Sequence, residues 1–228
     1  MTNQVSLNQI IADAQTNFRN LLEKTHNLIE NYSKAYGEGD GRTVFFANYF
    51  QLNLWLLIQF DTFLEVLTPS SNRVNKHVSL AQQNIKPFML RYDTINRASY
   101  CTKAIFDVEH FLKSIVKQLN MNPADGYWKL TKQLKNKLNL SGDQCNILNL
   151  PAFTRNSLHN NGYHTKDDFK VVIGIKTYKF EKGKKITFSG WGDLYIMFDE
   201  LLYVIEHILQ SADVRKEMKI PHTSETFS

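Results

Sequence analysis

The sequence predicts a mainly α fold: a multi-helix bundle, one domain over residues 1–228, with a β-hairpin inserted before the last long helix. Three observations predict it. Apolar residues recur at helical spacing along most of the chain. Clusters of Gly, Pro and Asn separate those stretches. A single stretch, about 169–189, is instead rich in β-branched and aromatic residues.

The first helix starts at Ser6-Leu7-Asn8-Gln9, which has the form of a capping box. Leu7, Ile10, Ile11, Ala14, Phe18, Leu21, Leu22, Leu28, Ile29 and Tyr32 then trace one face. The helix runs to about Tyr36 and stops at Gly37-Glu38-Gly39-Asp40-Gly41. A second helix, about Thr43 to Leu67, is apolar around most of its circumference and belongs at the centre of the bundle. Val44 to Leu67 has membrane-span length, but Asn48, Gln51, Asn53, Gln59, Asp61 and Glu65 are costly in lipid, so it reads as a core helix.

Thr68 to Asn72 reads as a loop, and His77 to Asn84 as a short helical piece before Pro87. A third long helix spans about Phe88 to Leu119, until Asn120 to Gly126 breaks it. A short basic helix follows from Tyr127 to Leu138. Ser141 then caps a further helix that ends near Asn160, with Pro151 set to kink or restart it. In the β region, Lys170 to Phe180 reads as one strand, Glu181 to Lys184 as the turn and Lys185 to Phe188 as the returning strand. The last helix covers about Gly192 to Gln210, and the polar tail, about 212–228, is expected to fray.

The net charge is +5 and the pI about 9.0, a mild basic excess that permits an anionic partner such as RNA. Lys129, Lys132, Lys135 and Lys137 read as a solvated face. The lysines from Lys182 to Lys185 carry two readings, a track for a phosphate backbone or protection of a strand edge. The two cysteines, Cys101 and Cys145, are far apart, which argues against a disulfide framework. Met1 to Gln9 lacks the layout of a signal peptide, so the expected location is cytoplasmic, with no membrane partner. The histidines are dispersed and no Cys-x-x-Cys or His-Glu-x-x-His occurs, so neither a metal nor a cofactor is expected. The aromatic residues from Phe45 to Phe63 read as core packing and His164 as a loop residue; Tyr127-Trp128, beside lysines, carries two readings, a nucleic-acid contact or, more simply, the half-buried side of an amphipathic helix.

The most informative stretch is Arg155-Asn156-Ser157-Leu158-His159-Asn160-Asn161-Gly162. Residues four apart on a helix lie about 40° apart around its axis, so Arg155 and His159 share a face. Asn-Asn-Gly then ends the helix, because Asn and Gly tolerate the left-handed conformation. Arginine offers a planar fork matched to phosphate, and histidine exchanges a proton near neutral pH. RNA supplies its own nucleophile, the 2′-hydroxyl.

This motif, followed by a β segment and a closing amphipathic helix, resembles the signature of the HEPN superfamily. The resemblance covers Arg91 to Gln210, with the earlier helices completing the bundle. It implies a metal-independent endoribonuclease acting as a homodimer, of the sort found in toxin–antitoxin or phage-defence settings. Arg155 would hold the phosphate, His159 would act as acid or base, and Asn156 would orient them. An acidic residue on an earlier helix packs against the arginine in many members; Glu109 is the candidate here, with Asp107 second. The usual Arg-to-His spacing in the family is longer than the three residues between Arg155 and His159. A second reading is therefore carried alongside: a non-catalytic module of the same shape that binds RNA, a nucleotide or a partner protein, such as an antitoxin.

Overall fold

The computed structural model describes residues 7–67, 85–188, 190–216 and 219–221. It holds seven helices and one two-stranded sheet among those residues. They are α1 (Leu7–Tyr36), α2 (Gly41–Leu67), α3 (Ile85–Gln118), α4 (Tyr127–Leu138) and α5 (Gly142–His159), then β1 (Phe169–Ile173) and β2 (Lys176–Phe180), then α6 (Trp191–Gln210) and α7 (Ala212–Arg215). The expected loop at 68–72, the helical piece at 77–84 and Ser6 of the expected capping box lie outside the described residues.

Helices α1 and α2 form an antiparallel hairpin, α2 packs on α3, and α6 runs along α1. Their shared core is aromatic. Phe18, Phe60, Tyr100 and Trp191 meet edge to face, with Phe60 and Trp191 centroids 4.8 Å apart. Edge-to-face contact sets the positive rim of one ring against the negative face of the next. Three of the polar residues that argued against a membrane span, Asn53, Gln59 and Asp61, serve as ties between helices. Asn53 on α2 accepts a hydrogen bond from Tyr100 Oη on α3 (2.8 Å). Gln59 accepts one from Tyr92, and Asp61 accepts one from Gln15 on α1. No helix among the described residues is long and apolar enough to cross a membrane.

Second helix α2 is less enclosed than its sequence predicts. Leu54, Trp55 and Ile58 are exposed, although its opposite side is fully buried. Pro87 lies inside the first turn of α3, where its missing N–H has no intrahelical partner to lose. Pro151 does not split α5, which runs through it as one helix. Ser141 and Gln144 form a reciprocal capping box at its start.

The hairpin differs from the expected one. The run from Lys170 to Phe180 is not one strand but the whole hairpin, with Ile173 paired to Lys176 across Gly174-Ile175. Gly174 has φ +56° and Ile175 does not have positive φ, the arrangement of a type II′ turn. Residues 185–188 do not return along β1. They turn back to the chain after α5, where Tyr163 bridges Lys185.

The segment after Ser211 is also different. Instead of fraying at once, it forms α7 and then docks, with Val214 and Ile220 fully buried. Asp40 at the N-cap of α2 accepts from Arg42 N (2.8 Å) and Ile220 N (2.9 Å). Arg42 is itself buried, pairs with Asp40 (3.3 Å), donates to Val214 O (3.1 Å) and lies 3.9 Å over the Tyr36 ring. Gly41 is required here, because a Cβ would stand 2.8 Å from Ile220 O. Removing one member of a buried ion pair leaves the other charge uncompensated. Arg42→Ala is therefore expected to lower the free energy of unfolding by about 3–5 kcal/mol, measured by urea titration. A loss of only a few tenths would mean that this latch does not hold the C-terminal segment.

Candidate functional site

The end of α5 carries Arg155, Asn156 and His159, and local chemistry explains why it ends there. Asn161 and Gly162 both have positive φ, and Gly162 N donates to Ser157 O (2.8 Å) in a Schellman closure. The chain is then sewn to the segment after β2. His164 N donates to Lys184 O, Gly183 N to His164 O, and Ile186 N to Gly162 O. Gly162 also lies under the Lys185 stem, where a Cβ would meet Cε at 3.0 Å.

His164 is not a plain loop residue. It is buried, flanked by Phe153 and Phe180, and plugs the loop from beneath. Its Nε2 donates to Asp167 O (2.9 Å), so in the neutral ring Nδ1 faces the Ser157 hydroxyl (3.4 Å). This plug holds Thr165 and Lys166 beside the helix end.

Arg155 Nε and Nη2 both donate to Asn156 Oδ1, at 3.2 and 2.8 Å. The guanidinium thereby orients the Asn156 amide. Arg155 Nη1 and Asn156 Nδ2 have no hydrogen-bond partner among the described residues, and Arg155 makes no ion pair there.

His159 is exposed and rests against α3, with Nε2 3.0 Å from Thr102 Oγ1. The single hydroxyl proton of Thr102 is donated to Ala98 O (2.8 Å), so Thr102 can only accept from the imidazole. That bond places the proton on Nε2 of the neutral ring and leaves the lone pair on Nδ1. Arg155, Asn156, His159, Asn160, Thr165 and Lys166 line one open groove of about 440 Å³.

The structure thus brings Arg155, Asn156 and His159 together. Glu109 is in an ion pair with Lys113 (2.7 Å), and no ion pair joins it to Arg155 among the described residues. Asp107, the second acidic candidate, pairs with Lys103 (2.6 Å). Cys101, beneath the site on α3, is buried; burial pushes its thiol up to about 12, opposed by the nearby Arg97 and Arg155 charges. It is protonated and inert at neutral pH. Burial likewise raises the Tyr127 phenol, which donates to Leu148 O (2.8 Å).

A second groove of about 640 Å³ adjoins the first and shares Arg155, Asn156 and Lys166 with it. Trp128, Phe153 and Phe169 line its apolar side. Trp128 is 52% exposed, so the Tyr127-Trp128 pair is split, with the tyrosine packed inward and the indole outward. Sequence reasoning missed Thr102, Lys166 and the meeting of Phe153 and Phe169 with Trp128. The three rings come from α4, α5 and β1, so no spacing in the sequence joins them. Of the lysines from Lys182 to Lys185, Lys182 pairs with Asp167 and Lys184 with Glu181, which Lys179 also engages. Lys184 and Lys179 hydrogen bonds hold the exposed Glu181 carboxyl below its ordinary value.

Comparison with family models, curated proteins and solved structures finds no match to this chain. The assignment of function therefore rests on the chemistry of the groove. Thr102→Val keeps the size of the side chain and removes the acceptor. Long-range 1H–15N correlation of the His159 ring is expected to show the Nε2–H tautomer in the wild type and a mixture in the variant. The same spectrum in both would mean that Thr102 does not set the proton's position.

Proposed function

We propose that the protein is a metal-independent endoribonuclease of HEPN type, working as a homodimer. The observation that carries this reading is the joint exposure of Arg155, Asn156 and His159 on one groove, with Lys166 beside them. The free Nη1 of Arg155, the free Nδ2 of Asn156 and the Lys166 ammonium are donors suited to one phosphate. His159 Nδ1, left with a lone pair by the Thr102 bond, takes the proton of the 2′-hydroxyl. The 2′-oxygen attacks the adjacent phosphorus and the bond to the 5′-oxygen breaks. A protonated imidazole returns a proton to that leaving oxygen, giving a 2′,3′-cyclic phosphate and a 5′-hydroxyl. Glu109 is given no step, because Lys113 engages its carboxylate.

The homodimer is supported by the surface next to His159. Ile95, Ser99, Thr102 and Phe106 lie on one face of α3, and both Ile95 and Phe106 are exposed. Exposed Trp55 and Ile58 extend this apolar surface onto α2, and Trp55 shares a cleft with Ser99 and Lys103. Exposed apolar residues grouped in this way mark association surfaces. A second copy seated there would set two His159 rings near each other, one to accept and one to donate a proton. Such an enzyme suits the role of a toxin or phage-defence effector restrained by a partner protein.

One observation favours the second reading, a non-catalytic module that binds RNA, a nucleotide or a partner protein. The Arg155 fork is already occupied in part by Asn156, which lowers its freedom to follow a changing phosphate. Cleavage of RNA in EDTA separates the two. The wild type is expected to give 2′,3′-cyclic phosphate ends, and His159→Ala to slow cleavage by about 10²-fold or more. Undiminished cleavage by that variant would remove His159 from the reaction. Phe106→Glu places a charge on the proposed contact surface. Sedimentation velocity is expected to show a monomer, with cleavage lost in parallel; a monomeric variant of full activity would overturn the shared site.

A further inference from the structure

The groove beside the motif has an aromatic wall that the cleavage step does not use. Phe153 and Phe169 stack with centroids 4.2 Å apart and 20° between planes. The Trp128 indole stands nearly perpendicular to both, at 81° and 82°, with centroids 5.7 and 6.4 Å away. The three rings make a corner with one wall open to solvent, since Trp128 is 52% exposed. A flat ring entering this corner stacks on the indole and meets the edges of the phenyl pair.

Charge selects what that ring must carry. Lys129, Arg155 and Lys166 rim the groove, and none of them makes an ion pair among the described residues. Its carboxylates are Asp125, Asp167 and Asp168. Asp167 is paired to Lys182, and Asp168 accepts from Lys182 N at 2.8 Å. A backbone N–H leaves the Asp168 charge in place, so the unpaired charge stands at three cations against Asp125 and Asp168, a small positive excess. An exposed aromatic corner ringed by unpaired cations fits a flat, neutral ring attached to a phosphate. The shared residues place such a phosphate at the motif groove.

We propose that Trp128, Phe153 and Phe169 form a subsite for one unpaired base of single-stranded RNA, with its phosphate held by Arg155 and Lys166 at the motif groove. This rests on the reading that RNA is what the motif groove receives. The subsite stacks a base rather than reading its edge, so it requires an unpaired nucleotide and tolerates sequence. Duplex RNA, with its bases stacked on each other, does not enter it.

The test uses the full chain and a short, labelled, single-stranded 2′-O-methyl oligoribonucleotide, which cannot be cleaved through its 2′-position. Binding is followed by fluorescence anisotropy. Trp128→Ala is expected to weaken binding by about 5- to 150-fold, and Trp128→Phe to restore most of it. In the wild type, replacing bases one at a time by an abasic unit is expected to reveal one position with a loss of the same size. That position should lose its effect in Trp128→Ala. Equal affinity for every abasic oligomer in the wild type, or no binding of the probe at all, overturns the subsite even if the alanine variant fails to fold. Cleavage of the matching unmodified RNA is measured in parallel. Trp128-dependent binding without cleavage keeps the subsite and ends the nuclease reading. Cleavage with KM unchanged in Trp128→Ala keeps the nuclease reading and ends the subsite.

Discussion

The short seam between residues 162–164 and 183–186 is the constraint on which the candidate site depends. Three backbone hydrogen bonds cross it. It forms because α5 ends in two residues of positive φ, which turn the chain through a tight reversal. Once reversed, the chain needs partners for its backbone groups, and the segment after β2 supplies them. The seam then fixes two things together: where Lys166 stands, and how β1 and β2 lie against α5. The buried His164 makes this arrangement specific, because its ring must meet Asp167 O and the Ser157 hydroxyl at once.

Around that seam, hydrogen-bond accounting decides which groups are available. Thr102 has one proton and gives it to Ala98, so the His159 ring is left with its lone pair on Nδ1. Asn156 gives its oxygen to Arg155 and keeps its two N–H donors. A preorganised cluster of unused donors costs no rearrangement when an anion arrives. The same region supplies an apolar wall next to the donors, which suits a ligand with a charged and a flat part. Beneath it, the protonated and buried Cys101 adds packing without chemistry.

Most helix positions were legible in the sequence, because their signals are local. The α4 bounds follow from Tyr127 after Gly126 and from Asn139, whose left-handed conformation caps its end. The start of α5 follows from the Ser141 capping box. The hairpin was placed in the right region but in the wrong register. Gly174 sits inside an unbroken run of β-formers, and the more obvious turn signal at Glu181 to Lys184 outweighed it. The docked C-terminal segment was illegible for a different reason. Asp40 and Arg42 look like part of a polar loop, and their partners, Val214 and Ile220, lie more than 170 residues away. The site was half legible: Arg155, Asn156 and His159 share one helix turn, whereas Lys166, Thr102 and Trp128 come from other elements.

The sequence by itself determined the helical periodicity, the stops and the placing of one cation and one imidazole at a helix end. These depend on contacts within one or two turns, where spacing along the chain equals spacing in space. Only the tertiary structure decided which His159 nitrogen holds the proton, that His164 is a buried plug, and that three rings from separate elements meet beside Arg155. Such contacts join residues that periodicity does not relate, because they depend on how whole elements pack once their apolar faces leave water.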